Sequence, residues 1–312
     1  MIALATVAVM LGVCMLAQIP SRWLHRRGYG ISIVIPFRSP SVMDERVRNI
    51  EWLKTYWRTH LPGAEVIVGE DPDRGRAFSK SVAVNHGIAR SKGDILVIVD
   101  ADGYLPADAV LYCADEIRNA RKRGRALWFI PYRKFYRLSN EATLRLLSSD
   151  TRTPYVYPEV VSPSDVLNLE DANPDIAHRY GALIQILPRE AFEQVGGWDE
   201  RFCGWGGEDH AAMRATDTLY GPHKTLPGRV FHLWHPMLGS QGKADLVDWR
   251  ERRWEGQAGA GNNNDLSYRY YHAFGNPALM RRLVDEGVRR GREDACTPPP
   301  PIARRDLPMY PL

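Results

Sequence analysis

From residue 31 onward, short and almost wholly apolar runs alternate with longer stretches of helical character, and this alternation restricts the fold more than any other feature. ISIVIPF at 31–37 is continuous, β-branched and ended by proline, the mark of a strand buried on both faces. A helical stretch follows at 44–60, then AEVIVGE at 64–70, a helix at 79–91 and DILVIVD at 94–100. Val110, Leu111, Ala114 and Ile117 form the buried stripe of a further helix that ends near Gly124. ALWFIP at 126–131 and GALIQIL at 181–187 predict a fourth and a fifth strand. Strands that alternate with helices predict an α/β fold with parallel pairing and right-handed crossovers.

In such sheets, ligands gather beyond the carboxyl ends of the strands. That rule brings Arg38, Glu70, Asp71, Asp100 and Asp102 to one edge. Asp100 and Asp102 flank Ala101 directly after the third strand, where two carboxylates can share a hard divalent cation and a diphosphate. The same pattern also occurs as a simple turn cap. VFHLWH at 230–235 follows another predicted strand, and either His232 or His235 could reach the same cation.

Residues 196–215, GGWDERFCGWGGEDHAAMRA, crowd five glycines and several large rings against the acidic pair Glu208-Asp209. Gly206 and Gly207 let a loop approach a ligand closely, and Trp205 can cover the apolar face of a sugar. Glu208 and Asp209 stand where a helix begins. Asp209 there is either a helix cap or a general base that takes a proton from an attacking hydroxyl, and a helix start favours both.

Composition narrows the function classes. The 312 residues carry a formal net charge of +4, with basic residues dispersed apart from a small cluster at Arg121, Lys122, Arg123 and Arg125. A nucleic-acid binder concentrates its charge on one face, so no nucleic-acid partner is expected. Cys14, Cys113, Cys203 and Cys296 form no CxxC pair; neither a zinc site nor a disulfide framework is suggested, which fits a reducing compartment.

The first twenty residues are uncharged and are followed by Arg22, His25, Arg26 and Arg27. This predicts a short membrane anchor over residues 2–19 with a cytoplasmic body behind it. The chain accordingly divides into a hydrophobic segment (1–20), a basic linker (21–30), a catalytic domain (31–240), a helical extension (241–295) and a proline-rich disordered tail (296–312). Residues 132–180 read as an irregular insertion over the cleft, and GAGNNND at 259–265 as a flexible break in the extension.

The segment from Gly196 to Asp209 strongly resembles the C-terminal galactosyltransferase motif with its WGGED core. β-1,4-Galactosyltransferases, polypeptide GalNAc transferases and bacterial chondroitin-type polymerases share that motif, and the resemblance extends over about residues 31–240. It implies a GT-A fold, a Rossmann-like nucleotide-binding sheet joined to an acceptor-binding half. It also implies that Pro36, Phe37 and Arg38, with Glu70 and Asp71 beside them, hold the uridine diphosphate. Phe78-Ser79-Lys80-Ser81 and Asn85 match a Phe-Asn-Arg-Ala-Lys-like donor segment, with lysine at the arginine position.

By the same resemblance, Asp100 and Asp102 form the DXD metal motif, Asp102 being the firmer ligand. His232, or His235 in a Met-x-x-His arrangement, completes the shell. Trp205 closes on the donor, Gly206, Gly207 and Glu208 meet the acceptor, and Asp209 is the base of inverting members. The implied activity is an Mn²⁺- or Mg²⁺-dependent, inverting transfer of galactose or N-acetylgalactosamine from a UDP-sugar to a glycan or protein hydroxyl. Two rivals are a catalytically inactive carbohydrate-binding protein on the same scaffold and a metal-dependent nucleotidyltransferase. The filled metal and base positions oppose the first, and the lack of a GxxxxGK[ST] loop opposes the second.

Overall fold

A computed structural model describes residues 29–38, 45–73, 77–167, 183–204, 206–236 and 260–291. The segments assigned as anchor, linker and tail lie outside the described residues, apart from Tyr29 and Gly30, as does Trp205. Among the described residues no helix is long and apolar enough to cross a membrane.

The expected buried runs form the main sheet. β1 (Ile31–Pro36) pairs in parallel with β2 (Glu65–Gly69) on one side and with β3 (Ile95–Val99) on the other. β1 and β3 are buried along their whole length, as two-sided coverage by helices requires. Helices α1 (Glu45–His60), α2 (Lys80–Ala89) and α3 (Ala107–Lys122) supply that coverage. Close approach of α2 depends on two glycines. A Cβ on Gly69 would sit 2.1 Å from the Ala83 carbonyl oxygen, and one on Gly87 would sit 2.5 Å from Val34.

At β7 the expectation of parallel pairing fails. β7 (Ile184–Pro188) runs antiparallel to β3 and also to β5 (Phe129–Ile130), giving the order β2-β1-β3-β7-β5-β8, with β8 at Lys224–Thr225. An apolar strand covered on both faces has the same composition in either direction, so its sequence does not encode orientation. The fold is a mixed α/β one in which the parallel part carries the expected strand-end edge.

A second, three-stranded sheet holds β4 (Gly103–Tyr104), β9 (Arg229–His232) and β6 (Lys134–Arg137) in the order β4-β9-β6. The region read as an irregular insertion therefore contributes a core strand and helix α4 (Asn140–Leu147). An aromatic cluster ties this sheet to α1. Tyr104 meets the rings of Trp52, Tyr56 and Phe231 edge-on or tilted, and Phe231 packs on Tyr136 and Tyr157.

After β7, α5 (Arg189–Gln194) leads through a loop into α6 (Glu208–Leu219). Two further helices, α7 (Ala260–Ala273) and α8 (Pro277–Gly291), pack on α6 around a separate apolar cluster that includes Phe202, Leu266, Tyr270, Met280 and Leu283. The GAGNNND stretch thus belongs from Ala260 onward to helix α7 rather than to a flexible break. Tertiary bonds made by Asn263 override the weak helix propensity of Gly and Asn there. Cys203 is disulfide-bonded, where the sequence suggested no disulfide framework.

Candidate active site

The site starts where β3 ends. Gly103 donates its N–H to the Asp100 carbonyl (2.9 Å), closing a tight turn that holds both aspartates at the strand end. A Cβ on Gly103 would lie 3.3 Å from Val99 Cγ2 and 3.4 Å from the Asp100 carbonyl oxygen, a close but tolerable fit. The Asp100 N–H donates to the Leu183 carbonyl (2.8 Å). Leu183 adopts a left-handed conformation (φ 65°), which costs a non-glycine residue about 1 kcal/mol.

Antiparallel pairing of β4 with β9 sets His232 opposite Gly103 and thereby beside Asp102. Leu233 N–H donates to the Asp102 carbonyl (2.7 Å). Trp234 donates to Thr143 Oγ1 (2.8 Å) and accepts from Asn49 Nδ2 (3.0 Å). These bonds fix the backbone between the two histidines. As a result, Asp102 Oδ2 lies 3.1 Å from His235 Nε2 and 3.7 Å from His232 Nε2, and all three residues can offer a ligand atom within 4.8 Å of one another.

Asp102 Oδ1 and His232 Nδ1 are buried and make no hydrogen bond. Burial pushes the Asp102 carboxyl up, but the facing imidazoles and the Lys80 ammonium outweigh it, leaving its pKa below the ordinary value. Burial brings His232 down to about 4, so its imidazole is neutral at pH 7 and keeps a lone pair. His235 is lowered by burial but raised more by Asp102, for a net upward shift. One ionised carboxylate with two imidazoles suits a first-row divalent ion, and the mixed N/O donors fit Mn²⁺ better than Mg²⁺, which favours oxygen.

Asp100 stands apart from that group. Its Oδ1 lies 2.7 Å from Lys80 Nζ, which also lies 3.7 Å from Glu208 Oε1 and sits over the Trp198 ring at 5.5 Å. Lys80 therefore joins the strand-end aspartate to the first residue of α6. Burial alone would lower the Lys80 pKa, but Asp100, Glu208 and Asp209 raise it well above its usual range. Asp100 is raised to about 6 by burial and by Asp102, against the opposing pull of Lys80.

At the start of α6, Gly207 is the cap residue, in a left-handed conformation (φ 92°) and without a side chain to cap the helix. Asp209 is therefore inside the first turn, not the cap residue. Its Oδ1 accepts from the His210 N–H (2.8 Å), and its carbonyl accepts from Gln185 Nε2 (3.2 Å). Glu208 is only 8% exposed, and its Oε2 makes no hydrogen bond. Burial, then the Asp209 charge, lift Glu208 to about 7 despite Lys80.

A stability prediction follows from Glu208. Its carboxyl ionises less readily in the fold than in the unfolded chain, so the penalty is absent below the ordinary pKa of 4.5. It grows as pH rises through 4.5 to 7 and is complete above that. Glu208→Gln should thus match wild type at pH 4 and exceed it at pH 8 by roughly 1 kcal/mol or more in chelator-treated protein. Thermal melts at both pH values check this. Lower stability of the variant at pH 8 would mean that Lys80 stabilises the charge outright.

The remaining predicted donor residues border the same edge. Pro36 ends β1, and Phe37 donates its N–H to the Gly69 carbonyl (3.0 Å). Arg38 lies 3.5 Å from buried Asp71, donates to the Asp73 carbonyl (2.6 Å) and stacks over Phe78. Glu70 is exposed, and its N–H donates to His86 Nδ1 (3.3 Å). Asn85 instead holds the loop before α6: its Nδ2 donates to the Trp198 carbonyl and to Glu200 Oε1 (both 2.8 Å), and its Oδ1 accepts from Trp198 N–H. Both amide hydrogens and the amide oxygen are engaged there.

All of this sheet-edge site except His232 and His235 lies within residues 33–218, which match the model of the glycosyltransferase-like family 2 domain. The chain belongs to that family. It carries a glycosyltransferase-like domain of mixed α/β fold. No curated protein matches its sequence. Solved structures similar to this family 2-like glycosyltransferase include the catalytic domain of Drosophila β1,4-galactosyltransferase 7 in complex with xylobiose. That likeness has 15% identity and a TM-score of 0.33, covering 64% of this chain and 65% of that one. A mutant of the same Drosophila enzyme with manganese, UDP-Gal and xylobiose gives 14% and 0.35, covering 70% and 79%. GalNAc-T7 with UDP, GalNAc and Mn²⁺ gives 14% and 0.41, covering 85% and 56%. The family 2-like chain thus spans less than two thirds of the first and third of these proteins.

Sequence reasoning did not find the bridging role of Lys80, the ring of Trp198 beneath it, or Gln185 behind Asp209. The lysine was visible as the first residue of a helix after β2, but its two carboxylate partners are 20 and 128 positions away.

Proposed function

We propose that this glycosyltransferase moves galactose or N-acetylgalactosamine from its UDP-sugar to a hydroxyl of a glycan or protein, with inversion and with a divalent cation. The observation that supports this most is the double engagement of Lys80, which sets Asp100 of the strand end and Glu208 of the helix start around one ammonium group. In this reading the donor-side carboxylate Asp100 and the acceptor-side carboxylate Glu208 meet around Lys80.

In this reading Asp102, His232 and His235 hold Mn²⁺ or, less well, Mg²⁺. Such an ion offsets the charge that develops on a departing diphosphate. Arg38 lies at the ends of β1 and β2, beside the nucleotide, where its cation is positioned by Asp71 and Phe78. Asp209 takes the proton of the acceptor hydroxyl as that oxygen attacks the anomeric carbon from the face opposite the leaving group. Its Oδ1 is steadied by the His210 N–H, and the helix start favours the carboxylate. Glu208, close to its own midpoint at neutral pH, hydrogen-bonds an acceptor hydroxyl as donor or as acceptor. Trp205 covers the sugar. Attachment to the cytoplasmic face of a membrane through residues 2–19 completes the proposal.

Incubation with a panel of nucleotide sugars, followed by identification of the products, tests the assignment. Free UDP together with a lengthened acceptor is expected. Pyrophosphate as the product would favour nucleotidyl transfer. Acceptor binding without turnover, unaffected by Asp102→Ala, would favour an inactive sugar-binding protein.

A further inference from the structure

The family domain ends at residue 218, yet helix α7, beyond it, reaches back to the loop that carries the helix-start acids. On the family-domain side, Gly204 N–H donates to the Phe78 carbonyl (3.0 Å) and Ser79 Oγ donates to the Phe202 carbonyl (2.8 Å). Gly204, Gly206 and Gly207 all have positive φ (70°, 104° and 92°), and α6 lacks a side-chain cap. The order of the loop is supplied from outside it.

Asn263 of α7 is 3% exposed and binds Cys203 through both halves of its amide: Cys203 N–H donates to Asn263 Oδ1 (3.1 Å), and Asn263 Nδ2 donates to the Cys203 carbonyl (2.8 Å). One helical turn later, Ser267 lies against the other end of the loop. A Cβ on Gly207 would come within 3.1 Å of Ser267 Cβ and 3.3 Å of its Oγ. Tyr270 follows on the same face, donating to Asp199 Oδ2 (2.9 Å) and packing on Phe202. Asp199 in turn binds Arg201, which is 2% exposed and pairs with Glu286 of α8 (2.8 Å). Residues 263, 267 and 270 share one stripe of a helix, so a single face touches the loop at its start, at its end and at the strap before it.

We infer that this face of α7 is a positioning surface of the transferase, and that Asn263 is a positioning residue that sets the Cys203–Gly207 loop and hence the place of Glu208. The inference rests on the transferase reading for its kinetic consequence, but the clamp itself is measurable without any sugar. The two helices that lie outside the family domain then belong to the working enzyme. Asn263 acts through the loop and touches no reacting atom.

Asn263→Ala and Asn263→Asp, made in the full chain, test this. Asp keeps the shape and the acceptor but loses the donor to the Cys203 carbonyl. In hydrogen–deuterium exchange, residues 203–207 should exchange about tenfold faster in Asn263→Ala, reflecting the loss of a buried hydrogen-bonded amide pair. Asn263→Asp should fall between it and wild type. Transfer at saturating UDP-galactose or UDP-GalNAc should fall about tenfold in Asn263→Ala, since misplacement of a reacting group acts on turnover, while the Kd for UDP with Mn²⁺ stays within about twofold. Unchanged exchange at 203–207 overturns the clamp. Faster exchange with an unchanged turnover overturns its positioning role and leaves a purely structural contact. A wild-type chain that releases UDP from no donor would sink the functional reading, while the exchange result would still decide the clamp.

Discussion

Asp102→Asn is expected to lower transfer by about a thousandfold or more at saturating Mn²⁺, the scale of several kcal/mol of charge stabilisation lost with a metal ligand. Asp102 is the only carboxylate of the three-residue group formed with His232 and His235. Its pKa lies below the ordinary value at a half-buried position, and its Oδ1 has no hydrogen bond there. Asparagine keeps the size but removes the charge and turns an amide N–H₂ toward nitrogen donors. The fold should survive, because the backbone bond from Leu233 to the Asp102 carbonyl is untouched. Initial rates with an Mn²⁺ titration, together with a thermal melt, measure both parts. A variant that retains activity within tenfold of wild type would remove Asp102 from the metal site.

Asp209→Asn should reduce turnover by roughly 10²- to 10⁴-fold, the usual contribution of a positioned general base. The amide oxygen can still accept from the His210 N–H, and the carbonyl still accepts from Gln185, so the first turn of α6 stays in place. The metal group lies on β4 and β9 and its flanking turn rather than on α6. UDP affinity in the presence of Mn²⁺ should therefore be nearly unchanged, and calorimetry alongside steady-state rates shows whether the two separate. Near-normal turnover would mean that another group takes the proton.

The parts of this molecule that depend on near neighbours in the chain were legible before any coordinates. The runs at Ile31, Ile95 and Ile184 became strands because continuous β-branched sequence suits a sheet covered on both faces. Asp102, His232 and His235 were each legible as candidates, since a strand-end aspartate pair and an HxxH segment are local patterns. Which of them meet was not. Asp100 and Asp102 meet different partners within the Asp100–Gly103 turn, one Lys80 and the other the histidines. The antiparallel course of β7 was hidden because pairing direction leaves no trace in a fully buried strand. The loop clamp was hidden for a different reason. Asn263 sits in a Gly/Asn-rich stretch that locally reads as a break, whereas its bonds reach Cys203, 60 residues earlier.

Release of UDP by the wild-type chain, followed in one preparation after chelation and again after Mn²⁺ is restored, tests the central claim most directly. The claim is that Asp102, His232 and His235 hold a divalent ion used in sugar transfer. UDP release that stops with the chelator and returns with Mn²⁺, in step with acceptor elongation, is the predicted result. Elongation that continues at full rate without any divalent ion would contradict it.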